Sequence, residues 1–442
     1  MGMRPKGAQG RVSYVNARLI DPASGLDQTG GLITEGETIS AVGPDVNVDA
    51  FPTEATPTGT IVVDCNGKCL TPGLVDMRVH VREPGEEHKG TLASAGRAGT
   101  AGGVTSMVCL PNTDPVIDDI SVLEFVARRA RLLGLAKVYP YGAVTRGAAG
   151  ENLAEMGMLA EAGALAFTDG SQAVANAQVM RRALAYASTF DLLIMQHPEE
   201  PSLARGGAMN TGETATRLGL PGIPRQAEVI MIERDLRLLE MTGGRLHFGH
   251  ISTADSVAVI RAAKARGLRV TCDTAPPYFA LNETAIGDYR TFSKLSPPLR
   301  DESDRLAIVA GLKDGTIDAI ASDHAPQDED AKRLPFEQAA FGGVGLETLL
   351  PITLEPFHNG ELSLTAALRL ITCAPADLLG LGAGRLEPGA PADLIVFDPD
   401  RGWKVDETSL HSKSKNTPFD GRPVQGQVLR TVVDGRTVFH RT

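Results

Sequence analysis

The sequence predicts an α/β fold: a (β/α)8 TIM barrel over residues 71–384, with a small composite β-sandwich domain drawn from both chain ends, 11–70 and 385–442. Three observations predict it. Apolar strand-like runs alternate with Ala-, Leu-, Glu- and Arg-rich stretches from Gly73 to about Gly380, which is the texture of repeated βα units and a parallel sheet. Eight such runs can be counted. Short β-rich segments broken by Gly, Pro, Asp and Asn flank them at both ends.

At the N-terminal end the β-rich segments are Val12 to Ile20, Gly31 to Val42 and Thr60 to Asp64. At the C-terminal end they are Ala392 to Phe397 and Val428 to Phe439, where Asp434-Gly435 makes a hairpin turn between Val-rich strands. The two ends are expected to share one sheet. Between them the predicted parallel strands are Leu74 to Val81, Val104 to Leu110, Lys137 to Val144, Ala164 to Thr168, Leu192 to Gln196, Arg245 to Gly249, Arg269 to Cys272 and Ile317 to Ser322. Helical periodicity over Ser121 to Leu133, Ala175 to Ser188, Ala227 to Met241 and Ala254 to Ala265 supplies crossovers between them.

Composition narrows the function classes. A net charge of −11 and the lack of any Lys/Arg run argue against nucleic acid, whose phosphates demand clustered cations. The five cysteines (Cys65, Cys69, Cys109, Cys272 and Cys373) are odd in number and form no CxxC pair, so they read as structural thiols. No stretch has the length and apolarity of a signal peptide or membrane span, and a cytoplasmic protein is expected.

Five strands end in a group able to bind a metal: His80, Asp169, His197, His250 and Asp323. In a barrel the carboxyl ends of the strands share one rim, so these chain-distant residues are expected to converge. Any one of them could merely cap a helix, but five at strand ends are hard to attribute to chance. Imidazoles and carboxylates in this mixture suit zinc or a similar divalent ion, which activates water and polarises carbonyls. Hydrolysis of an amide-like bond follows. His88, His247, His358, His411 and His440 lie off the rim or out of phase and are not expected to ligate.

Longer motifs then carry a resemblance. The runs GLVDMRVHVREPG (73–85), AGGVTSMVCLPNT (101–113), GHIST (249–253), SPPLR (296–300) and DGTIDAIASDHAP (314–326), with GAPADLIVFDP (389–399), closely resemble the dihydroorotases of the amidohydrolase superfamily. The resemblance implies the amidohydrolase type of barrel and the reversible conversion of N-carbamoyl-L-aspartate to L-dihydroorotate in pyrimidine biosynthesis, at a centre of one or two zinc ions. It implies that His80, Asp169, His197, His250 and Asp323 hold metal, that Asp323 also shuttles the proton, and that Arg82 and Asn112 hold the substrate carboxylate. A homo-oligomer is expected.

The sequence also departs from the family pattern. Arg78 stands where the first His of a HisXaaHis pair is expected, and a guanidinium has no lone pair for a metal. Gly170, Pro277, Tyr278, Ser296 and Gln327 replace an Asp, two His, an Asn and a His of that pattern. Two readings follow: an active cyclic-amide hydrolase with a compromised first metal site, or an inactive relative that serves as a structural partner of aspartate transcarbamoylase. A hydantoinase or allantoinase is a third reading, disfavoured because those relatives carry a Lys near the position of Asp169. The charged segment Gln327 to Pro335 is read either as a mobile rim over the site or as a plain solvated connection.

Overall fold

The computed structural model describes residues 10–46 and 60–441. At the N-terminal end the strands are β1 (Arg11–Asp21), β2 (Leu26–Glu35), β3 (Thr38–Gly43), β4 (Thr60–Asp64) and β5 (Cys69–Pro72). The central region contributes β6 (Leu74–Val79), β7 (Val104–Cys109), β8 (Lys137–Pro140), β9 (Leu193–Gln196), β10 (Met209–Asn210), β11 (Gly222–Ile223), β12 (Arg245–Phe248), β13 (Val270–Thr274) and β14 (Ala319–Ile320). The chain closes with β15 (Leu394–Lys404), β16 (Pro423–Val433) and β17 (Arg436–His440).

The two chain ends do share a sheet. Its path is β17-β16-β15-β5-β1-β2-β3, with β4 also paired to β1. Alternating side chains of these strands, among them Tyr14, Leu19, Leu32, Leu70, Leu394 and Val432, form their own apolar cluster. The β16–β17 hairpin turns at Asp434 and Gly435, both at positive φ (47° and 70°), the geometry that a two-residue hairpin requires.

The central strands are parallel, and β6, β7 and β9 are buried on both faces, which explains their near-continuous apolar character, while β8 is mostly half-buried. They hydrogen-bond in the orders β6-β7-β8 and β14-β13-β12-β9. The expected strand at Ala164 to Thr168 is too irregular to count as a strand, yet it bridges the two groups, through Gly142 to Phe167 and Phe167 to Ile194. At the other edge Val79 bridges His324, and His80 N–H donates to His324 O at 2.8 Å. The contacts thus run round and return to β6. Inside this ring Met77, Val108, Tyr141, Ala166, Met195, Ala319 and Ala321 pack on one another, so the ring is filled rather than open.

Helices cover the outside. They span Ile120–Leu133, Ala177–Thr189, Gln226–Thr242 and Ala254–Ala265, within two residues of expectation. Asp119, Asn176 and Thr253 accept backbone N–H groups at three N-termini, and Gly134 and Gly243 end two helices in the left-handed conformation. All five cysteines are buried free thiols, and burial pushes Cys65 up to about 12 and Cys69 to about 11, in keeping with structural roles. Among the described residues no helix is long and apolar enough to cross a membrane.

Candidate active site

The carboxyl ends of the ring strands meet at one cavity of about 360 Å³, lined by Arg78, His80 and Arg82 from the first strand end, with His197, His250 and Asp323 from others. Three of these residues, Arg82, His250 and Asp323, hold positive φ (65°, 41° and 51°) without being glycine. Such backbone is costly, so its concentration here is a mark of function. Asp273 supports one of them, accepting the His250 backbone N–H at 2.7 Å.

The polar groups form a row. His197 Nδ1 and His250 Nε2 are 2.7 Å apart, His250 Nδ1 lies 3.2 Å from Asp323 Oδ2, and Asp323 Oδ1 accepts from Arg78 Nε at 2.9 Å. Arg78, only 2% exposed, donates from Nη2 to Gly170 O at 3.2 Å. A buried guanidinium requires such a carboxylate. Burial alone would raise the Asp323 carboxyl, but His250, Arg78 and His80 around it hold it well below the ordinary carboxylate range. Burial, then Arg82 and Arg78, pushes His80 well below the ordinary imidazole range.

Asp169 and Asn112 do not join this row. Asp169 Oδ1 accepts from the Thr145 backbone N–H at 2.9 Å and its Oδ2 from the Thr145 hydroxyl at 2.5 Å. Burial raises its pKa. Asn112 donates to Asp169 O at 3.0 Å and accepts from Ser171 N at 3.1 Å, bracing the turn between them. Gly170 sits in that turn at φ 70°, where a Cβ would lie 1.6 Å from Asn112 Oδ1. The turn excludes the second carboxylate that the family pattern leads one to expect at this position.

Arg82 faces the cavity with its guanidinium anchored to Glu86 at 2.6 Å and to Pro326 O at 3.2 Å. Ser296 and Gln327, two of the departures noted in the sequence, also line the cavity. Ser171, Glu199, Phe341 and Gly342 are lining residues that sequence reasoning missed. For Glu199 a signal existed, since it follows a rim histidine by two positions; its Oε2 lies 3.7 Å from His197 Nε2. His247 is off the rim, as expected: it is fully buried between Thr271 and Asp273.

The donor set fits the zinc implied by the resemblance poorly. His197, His250 and Asp323 do stand in one row, but their ring nitrogens and carboxylate bond to one another rather than converging on a shared point. Arg78 supplies a positive charge where a lone pair is needed, Asp323 is committed to it, and Asp169 turns to Thr145.

Comparison with known proteins now decides the family. A dihydroorotase from Anaplasma phagocytophilum is 48% identical over 97% of this chain and 95% of its own length, and one from Pelobacter propionicus is 46% identical over 96% and 99%. The chain belongs to the dihydroorotase family. Family models agree: one described as dihydro-orotase-like matches residues 67–256, and one described as the amidohydrolase family matches 232–439. Among solved structures, L-hydantoinase (dihydropyrimidinase) from Arthrobacter aurescens superposes with a TM-score of 0.83 at 25% identity, covering 97% of this chain and 96% of that one. Dihydropyrimidinase from Brevibacillus agri gives 0.81 at 22%, covering 97% and 95%, so a shared α/β amidohydrolase fold persists where sequence has diverged. Within the dihydroorotase family, then, this chain has an ion pair between buried Arg78 and partly exposed Asp323 in the wall of its strand-end cavity.

Proposed function

We propose that this chain interconverts N-carbamoyl-L-aspartate and L-dihydroorotate, the cyclic-amide step of pyrimidine biosynthesis, in the cytoplasm. The observation that carries the reading is the single cavity in which Arg82, His80, His197, His250 and Asp323 meet, in a chain whose full-length relatives are dihydroorotases. Its fold is read as a (β/α)8 barrel over 71–384 with a composite β-domain from 11–70 and 385–442, which the returning ring of parallel contacts and the shared terminal sheet support.

In this reading Arg82 receives a substrate carboxylate, for which a guanidinium fork is well shaped. Asn112 would join it only by leaving Asp169 O and Ser171 N; where it stands it holds the turn that brings Ser171 to the cavity. Asp323, at a strand end of the cavity, is the group assigned to accept and return the proton as the ring opens or closes; the Arg78 and His250 contacts that hold its carboxyl down must loosen for it to do so. His80, Asp169, His197, His250 and Asp323 are the residues that would hold a metal, Asp169 only by leaving Thr145 and Asp323 only by leaving Arg78.

The pairing of Arg78 with Asp323 favours a second reading, in which the guanidinium occupies the place of the first metal and the folded chain does not turn over. A structural role beside aspartate transcarbamoylase would then be its function, supported only by the family resemblance. Purified protein assayed in both directions, with bound metal counted, separates the two. Turnover of dihydroorotate is the expected result; none in either direction by folded protein overturns the first reading.

A further inference from the structure

The segment 327–342 begins at Gln327 and ends at Phe341 and Gly342, three residues of the cavity wall. Of the five charged residues between Gln327 and Pro335, Lys332 alone is buried, at 3% exposure, on the short helix Glu329–Arg333. Its ammonium donates to three backbone carbonyls: Thr291 O at 3.0 Å, Lys294 O at 3.3 Å and Ala340 O at 2.7 Å. An ammonium has three N–H groups, and here all three are used. Two acceptors belong to the stretch 291–294, close in sequence to Ser296 of the cavity, and the third to the far end of the segment itself.

Other bonds run the same way. Thr291 Oγ1 donates to Lys332 O at 2.5 Å, and Gly342 N donates to Lys294 O at 3.0 Å. Lys294, also buried, sends its ammonium to Glu337 O at 2.8 Å and lies 4.5 Å from the centre of the Phe341 ring. Among the described residues neither ammonium has a carboxylate within ion-pair distance. Burial, and then the neighbouring Lys294, pulls Lys332 down to about 7, so this residue is kept in place at a cost to its charged form. Thr291 O and Lys294 O each also accept a backbone N–H, from Lys294 and Gly342, so the one ammonium tip adds a second bond to both while tying them to Ala340 O.

We propose that Lys332 is a positioning residue whose buried ammonium fastens the 327–342 segment over the cavity and thereby sets how tightly substrate is held. The substrate part of this inference rests on the function proposed above. Asp323 sits at a ring-strand end outside the segment, whereas Gln327, Phe341 and Gly342 are wall contacts carried by it. Loosening the segment therefore weakens binding more than it slows the chemical step.

The test uses the full chain with Lys332→Met, and Lys332→Gln as a milder variant that keeps two N–H donors. Backbone hydrogen exchange is expected to quicken at least tenfold at Ala340 and Gly342 in Lys332→Met, less in Lys332→Gln, and to stay unchanged in β12 and β13. KM for dihydroorotate is expected to rise about tenfold with kcat within about threefold. Arg333→Met, which alters an exposed neighbour, is the control expected to match the parent in both measurements. Unchanged exchange across 338–342 overturns the fastening, whatever the turnover. Quickened exchange with an unchanged KM overturns its link to substrate, and a parent without turnover overturns the functional reading while exchange still decides the fastening.

Discussion

Replacing Arg78 by His perturbs the site in two opposed ways that can be measured separately. The guanidinium is 2% exposed and pairs with Asp323 at 2.9 Å, while the Asp323 side chain is 16% exposed and keeps His250 as a second partner. Removing one member of a buried pair costs about 3–5 kcal/mol, and the residual partner and cavity solvent place this case near the lower figure, about 3 kcal/mol. The new imidazole offers a lone pair in the same place, beside His80 and Asp323. If it completes a metal site, zinc at about one hundred times its Kd returns about 2.7 kcal/mol through preferential binding to the folded state. Urea unfolding of Arg78→His is therefore expected to show a loss of about 3 kcal/mol in chelator and near-parental stability in zinc, with at least one more zinc ion per chain by elemental analysis. The parent should respond less to zinc than the variant. Equal stability of variant and parent in chelator would mean that the ion pair contributes nothing. An equal zinc response in both would refute the idea that Arg78 stands in a metal's place.

Three further outcomes test other parts of the site. Arg82→Met removes the charged group expected to hold the substrate carboxylate; a charge-assisted contact worth about 2 kcal/mol predicts a KM about thirtyfold higher, with kcat changed much less in steady-state assays. Gly170→Ala forces a side chain into left-handed backbone against Asn112 Oδ1, and calorimetry should show a loss of about 2 kcal/mol or more. Asp235, buried beside Arg234 and Gln196, is raised by burial from 3.8 to about 6. Its folded form holds a proton more tightly than its unfolded form, so the stability it costs sets in as pH rises from about 4 to about 6 and is constant above. Asp235→Asn should gain on the parent across that window, by up to about 3 kcal/mol, in urea titrations at successive pH values.

The fold was legible because periodicity and punctuation agree with what the backbone needs. The helices predicted by periodicity from Ser121, Ala175, Ala227 and Ala254 begin within two residues of those positions, and the Asp434-Gly435 turn lies where a hairpin demands two positive φ angles. Ala164 to Thr168 was less legible: it bridges both neighbours, but bridging at single residues does not give a continuous ladder. Its apolar run is needed for burial in the ring, and the same run gives no sign of the irregular pairing.

In the site, residue type and position at a strand end were enough to bring His80, His197, His250 and Asp323 to one cavity, because strand direction alone sets where those backbones finish. Side-chain direction is a different quantity, set by whatever hydrogen-bonding partner a neighbouring strand end supplies. Thr145 captures both oxygens of Asp169, and no spacing in the chain signals it, since the two residues are 24 positions apart. Lys332 illustrates the same limit from the other side: within a run of charges it reads as solvated, yet three carbonyls turn it inward. Arg78 was conspicuous in the sequence only as a residue that cannot ligate. Its geometry adds what composition could not, namely that it has taken Asp323 as its partner, so any metal entering this site competes first with a charge the chain already carries.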